Sequence, residues 1–444
     1  MKKVMLSAAA LMCVSMMMAQ FNTSDVNQVG SGNTSTVSQA GLTNDSDVDS
    51  VGDDNDSSVA QNGTSNTSEV RQTGGGPGGD GLSDNNSSTV TQDGTTNNQF
   101  VWQDGDDNTA SLDQDGTSND SYVDQWGDDS SSTTTQNGSN NDSDVFQGYG
   151  VAGDGSHTSI VNQQGDDNVS TVDQNGGTGN DSEVIQLGEN NLSDVDQTGN
   201  DNDSFVIQGP QMDNISDVEQ NGDDNDSFVD QWGDSNNSNV DQDGNDNSSV
   251  VLQGQIGDSN ISNVIQNGNS NISNVAQIGN FNGSGVSQTG DDNDSDVDQT
   301  GNANSSLVNQ NGNDNDSVVD QDGNNNSSGV AQIGDMNDSS VTQDGTLNDS
   351  SVLQDGNNNI SDVDQTGFGN FSDVKQFGDE NDSDVDQNGD FNVSGVIQTG
   401  LQHVSIVNQD GNSNVSTVNQ NGNNHFSNVN QVGNGNSSSV SQSN

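Results

Sequence analysis

A glutamine returns every eleven residues from Gln266 through Gln277, Gln288, Gln299, Gln310 and Gln321 to Gln431 and Gln442. A unit that short holds one strand and one turn, cannot bury an apolar face by itself, and must stack on its neighbours to fold at all. It reads N-x-S-x-V-x-Q-x-G-x-x, as in Asn293, Ser295, Val297, Gln299 and Gly301, and again in Asn315, Ser317, Val319, Gln321 and Gly323. Carried back to Asn22 the frame gives 37 units, with Val at position five in 35 of them (Leu112 and Thr134 differ) and Ser at position three in 35 (Gln99 and Ala110 differ). Position seven is Gln in all but one, Ser50.

The odd positions share one face and the variable even positions share the other, which is the two-residue period of a strand. Gly followed by Asp, Asn or Ser then turns the chain into the next Asn. Insertions support this division: the frame slips after Gln72, Gln147, Gln174, Gln208 and Gln253, always between a Gln and the next unit's start. The longest insertion includes Gly74 to Gly81. Surface loops are the expectation at all five places, within one array over residues 21–444.

Outward positions suggest two strands per 22-residue rung. Position six taken every 22 residues runs Asp298, Asp320, Thr342, Asp364, Asp386, while the interleaved series runs Ser287, Asn309, Ala331, Leu353, Lys375, Ile397. One side of the coil is therefore acidic and the other nearly neutral. Upstream the parity reverses, with Asp173, Asp196, Glu219 and Asp241 against Ile185, Ile207, Asp230 and Leu252. The change falls near Gly254–Gly257, and the sequence leaves open whether the faces swap or the coil is irregular there. The expected fold is all-β: a β-solenoid of about 37 eleven-residue strand-turn units with cross-β stacking.

Composition alone would place such a chain among disordered ones, because 24% hydrophobic and 4% aromatic residues cannot build an ordinary core. Stacking must supply the order, through backbone bonds between rungs and through Asn and Gln side chains bonding to their copies. The formal charge of −65 disfavours nucleic acid and anionic lipid as partners. Lys2 and Lys3, an apolar run from Val4 to Met18 and Ala19 form the layout of a secretory signal peptide, residues 1–20. That run is too short for a spanning helix, so the mature chain is expected to be exported, secreted or held at the cell surface, without membrane insertion. Cys13 leaves with the leader, which excludes disulfides and cysteine-bound metals.

Side chains that carry chemistry elsewhere fall into the repeat here. His157, His403 and His425 all stand at the Asn position, as corner substitutes. The Asn-x-Ser sequons arise from the repeat and place their Asn inward. Asp292 to Asp298 lacks the Gly and Glu of a calcium loop, but Asp294, Asp296 and Asp298 share an outward face and are the candidates for binding calcium ions. Trp126 and Trp232, at outward position eight, read as isolated surface aromatics. No catalytic triad stands outside the repeat and no phosphate loop occurs, so neither an enzyme nor a cofactor-binding protein is expected.

The units resemble the curlin repeat of bacterial curli fibres, in which Gln-x-Gly-x-x-Asn-x-Ser is followed by Gln six residues after the Asn. Here the Asn-led half serves throughout, where curlin rungs usually alternate it with a Ser-led half. The resemblance implies a two-strand-per-rung solenoid, secretion through an outer-membrane pore, a nucleator as partner, and self-assembly into amyloid fibres for biofilm, adhesion and cell aggregation. A monomeric repeat adhesin or an acidic cation-binding surface protein is the other class that the residues allow.

Overall fold

The structure is a computed structural model that describes residues 21–74, 83–148, 155–254 and 257–444. The signal peptide expected over residues 1–20, Cys13 with it, and most of the Gly74–Gly81 insertion lie outside the described residues. The chain divides into two units, Met1–Gln186 and Leu187–Asn444. Each is a β-solenoid in which successive strands alternate between two parallel sheets, so that two strands make one rung. The described residues contain 37 strands and no helix.

Register follows the repeat residue for residue. Strand Asp294–Asn302 pairs in parallel with Asp316–Asn324, setting Ser295 on Ser317, Val297 on Val319 and Gln299 on Gln321. In the first unit, insertions leave the ladder intact: Ser131–Ser139 meets Thr158–Asp166 in full register, although 27 residues separate Gln136 from Gln163. The strand before each insertion ends at or just after its Gln, at Thr73, Gln147, Asn175, Gln208 and Gln253.

The core is narrow and mostly polar. Val297 and Val319 are fully buried, and so are Asn293, Ser295, Gln299, Ser317 and Gln321, with Asn315 nearly so. Alternation decides this, because every odd residue of a strand points inward and must find its partners there.

In residues 187–444 the coil is regular where the acidic series changes parity. The sheet that begins with Leu192–Thr198, here the first sheet, carries Asp196, Glu219 and Asp241 in one column, and Asp241 then pairs with Ile265. The sheet that begins with Asp203–Gln208, the second sheet, runs from Leu252 to Ala276 and then to Asp298. The faces therefore swap their chemistry along ladders that stay in register. Downstream, Asp298, Asp320, Thr342, Asp364 and Asp386 stack on the second sheet. Ser287, Asn309, Ala331, Leu353, Lys375 and Ile397 stack on the first.

Candidate functional site: the polar ladders and the outward columns

Each inward Gln is held on two sides. Gln299 donates from Nε2 to Oε1 of Gln321 at 2.8 Å and to the carbonyl of Gly283 on the facing strand at 3.0 Å. Gln321 repeats this toward Gln343 at 2.8 Å. The Asn column runs the other way. Asn315 donates from its backbone N–H and from Nδ2 to Oδ1 of Asn293, at 3.2 and 3.0 Å, and its Nδ2 also reaches the carbonyl of Gly334 at 2.8 Å.

The two columns have opposite polarity. Gln side-chain amides donate toward the C-terminal rung, and Asn backbone N–H groups donate to the Asn Oδ1 of the N-terminal one, so the two faces of any rung are donor-acceptor complements. A further rung, from the same chain or another, finds a partner for every ladder group. Gly301 and Gly323 close the arcs, with φ of +114° and +130°.

The histidines occupy Asn places and reproduce the Asn bonds. Nδ1 of His403 accepts from the backbone N–H of His425 at 3.2 Å, as an Asn Oδ1 does, and the two rings stack 5.1 Å apart. The backbone N–H of Asn180 likewise donates to Nδ1 of His157 at 3.3 Å.

The inward serines differ from Asn and Gln. Ser295 and Ser317 are buried with hydroxyls that meet no hydrogen-bond partner, as do most serines at position three. Neighbours in that column are one strand spacing apart, about 4.8 Å, too far for one hydroxyl to reach the next.

Outside, carboxylates stack instead of amides. Asp298 and Asp320 are both raised above the ordinary carboxylate range, first by partial burial and then by neighbouring acids, Asp320 and Asp296 for the one and Asp322, Asp296 and Asp344 for the other. Asp294 is raised by burial and by Asp296. Among the described residues no group of three or more His, Cys, Asp or Glu side chains is placed to hold a metal ion, which includes Asp294, Asp296 and Asp298.

Two arrangements escaped the reading of the sequence. Trp126 is not isolated: its ring lies 5.7 Å from that of Trp102, because outward side chains two positions apart on adjacent strands are diagonal neighbours. Beside them Phe100 and Tyr122 stack at 5.0 Å, with Phe146 next at 5.4 Å, and Arg71 lies over Phe100. The signal was present in Phe100 and Tyr122, both at position four and 22 residues apart. Tyr122 donates to Asp124 Oδ2 at 3.3 Å; burial pushes Asp124 up to about 6 and Tyr122 up to about 12.

The second is a ladder within the arcs. The backbone N–H of Asn269 donates to Oδ1 of Asp291, Asp291 to Asn313 and Asn313 to Asp335, at 2.9, 2.9 and 3.0 Å. Position ten is rich in Asp and Asn because an exposed carbonyl or carboxylate oxygen there closes the turn below it.

The profile of the Curlin associated repeat matches residues 84–116, 105–138, 177–209, 268–301, 290–323, 318–345 and 362–389. No curated protein matches the chain.

Proposed function

The chain belongs to the curlin-repeat family, and from that premise we propose that it is an extracellular structural subunit, not an enzyme, which polymerises end to end into curli-type amyloid fibres for biofilm matrix and adhesion. The observation that carries this is the opposed polarity of the Gln and Asn ladders. The C-terminal face of a rung offers Gln amide N–H groups and Asn carbonyl oxygens, and the N-terminal face offers their complements. A second copy docked head to tail continues both columns and the strand pairing, whereas head-to-head docking sets donor against donor. Contacts of this heterologous kind generate open filaments.

The motif also runs unchanged through the outermost described rungs. Val26, in strand Thr23–Val29, is 43% exposed where Val48, one rung further in, is fully buried. Covering such an edge with another rung removes that apolar surface from water. Export fits the leader read from residues 1–20, and the described residues hold no helix long and apolar enough to cross a membrane. A secretion pore and a nucleating partner belong to this proposal through the family. Electron microscopy and fibre diffraction of the purified chain test it. Unbranched fibres with a meridional spacing near ~4.7 Å are expected, and a chain that stays monomeric for days at high concentration in salt overturns it.

A further inference from the structure

Four glycines stand at outward strand positions two or four: Gly283, Gly285, Gly329 and Gly395. Among the described residues, positions two, four and six hold no others. None has a positive φ. A Cβ would meet nothing within 4 Å at Gly283, Gly329 or Gly395, and only Cδ1 of Leu307, at 3.1 Å, at Gly285. The turn of the backbone does not demand glycine at any of the four, nor does lack of room at Gly283, Gly329 and Gly395, and glycine weakens a strand. With no bulge or bend at these positions, such a residue is of the kind that marks close approach of a ligand or another backbone.

All four lie on the first sheet of residues 187–444, and they alternate with exposed apolar side chains. In the position-four column Gly285 pairs with Leu307 and Leu307 with Gly329, so a side chain that is 60% exposed, its Cδ1 over Gly285, stands beside an open hollow at Gly329. Ile261, 58% exposed, and Phe371 and Ile397 project from the same face. At positions two, four and six, this sheet from Ile261 to Asn419 carries only Asp349, Asp373 and Lys375 as charges, and Lys375 is paired with Asp373. The second sheet over the same rungs carries eleven Asp between Asp294 and Asp386.

We infer that the first sheet over residues 261–419 is a lateral face on which a second copy of this chain seats, Leu307 of each copy entering the hollow at Gly329 of the other. The charge distribution selects that occupant and that face. Two copies of so acidic a chain repel wherever their Asp columns meet, and the first sheet is where they can approach with the fewest like charges set together. Its shape is self-complementary, as in the dry interfaces between paired sheets of stacked strands. Its extent is sufficient: eight strands at ~4.8 Å, each ~20 Å long, give about 800 Å² per copy, the size of a standard stable interface.

The doubly substituted variant Leu307→Asp/Gly329→Asp tests this, because both positions face outward and leave the ladders whole, with Thr342→Asp on the second sheet as the control. In salt near ~0.15 M, where exposed charges are screened beyond ~8 Å, wild-type and control filaments should have twice the mass per length of the double variant's. Single filaments in the wild type, or unchanged doubling in the variant, overturn the proposal. If the chain does not polymerise, the end-to-end reading fails and the lateral face is still tested by sedimentation of the soluble protein. The wild type is then expected as a dimer and the double variant as a monomer, and a monomeric wild type overturns the face. Flotation of the wild type but not the variant with neutral phosphatidylcholine vesicles, without pairing, would assign the face to lipid and also overturn it.

Discussion

The carbonyl oxygen of Gly323 lies 1.8 Å from the point where a Cβ on Gly301 would stand. Overlap of that kind cannot be relieved by a rotamer change, since both partners are backbone, and φ at Gly301 is +114°, where side chains are strained. Gly301→Ala is therefore expected to cost about 3 kcal/mol or more. Gly283→Ala, with open space and an ordinary φ, should instead gain roughly 0.5–1 kcal/mol. Urea midpoints of the two variants check the contrast, and a similar loss in both would contradict the stacking geometry.

Replacing ladder residues should harm assembly more than replacing their outward neighbours. Asn293 bonds to Asn271 and Asn315, and Gln299 to Gln277 and Gln321. Asn293→Ala or Gln299→Ala strands a buried partner on each side, about 1–3 kcal/mol apiece. Asp298→Asn removes only an outward charge and should shorten the lag of fibre growth. Equal lags in a thioflavin time course would refute this assignment of faces.

Ser295 presents the reverse case. Its buried hydroxyl has no hydrogen-bond partner, and Ala110 already fills the same place in another rung, almost fully buried. Ser295→Ala is expected to raise stability by about 1 kcal/mol, and a lowered urea midpoint would show that the hydroxyl is satisfied.

Acid should promote folding and growth. Asp298, Asp320, Asp364 and Asp386 all have folded-state pKa values raised above the ordinary 3.8. A raised carboxylate binds more protons folded than unfolded, so its penalty is absent below 3.8 and develops as pH rises through the folded value. Fibre growth should therefore accelerate as pH falls from neutral toward 4, and also with salt. With no metal-holding group of acids among the described residues, sodium and calcium should act alike at matched ionic strength. Faster growth in calcium that is lost in Asp296→Asn would reveal a site instead.

Asp124 should be a particularly sensitive single carboxylate. It is pushed up to about 6 by burial, against the hydrogen bonds from Trp126 and Tyr122. Asp124→Asn should stabilise the first unit at pH 7 and have little effect near pH 4, read as the difference between urea midpoints at the two values. An equal effect at both would mean that its charge is not what matters there.

The strands and their inward residues were legible because alternation and an eleven-residue period leave only one way to bury Val297 between Ser295 and Gln299. The insertions were legible for the same reason, since none falls between an Asn and its Gln. The face swap was visible only as a change of parity. A count along the chain cannot tell an exchanged face from a broken coil, whereas the pairing of Asp241 with Ile265 can. The direction of the ladders was hidden too, because an amide written as Gln or Asn does not say which neighbour it donates to. Stacked acids raise one another's pKa, but burial against the neighbouring strands is the larger cause at Asp298, and the spacing of the acids along the chain does not show it.

Because each strand is bonded to the one a full rung further along the chain, a pull along the stacking direction meets one rung's bonds at a time. Each rung that peels away adds roughly 75 Å of extended chain where it had occupied ~4.8 Å. Under tension such a solenoid lengthens in discrete steps at nearly constant force, rung after rung, instead of failing at once. Because both faces of the rung that remains keep their complementary amides, a torn end is as able to re-form as an untouched one.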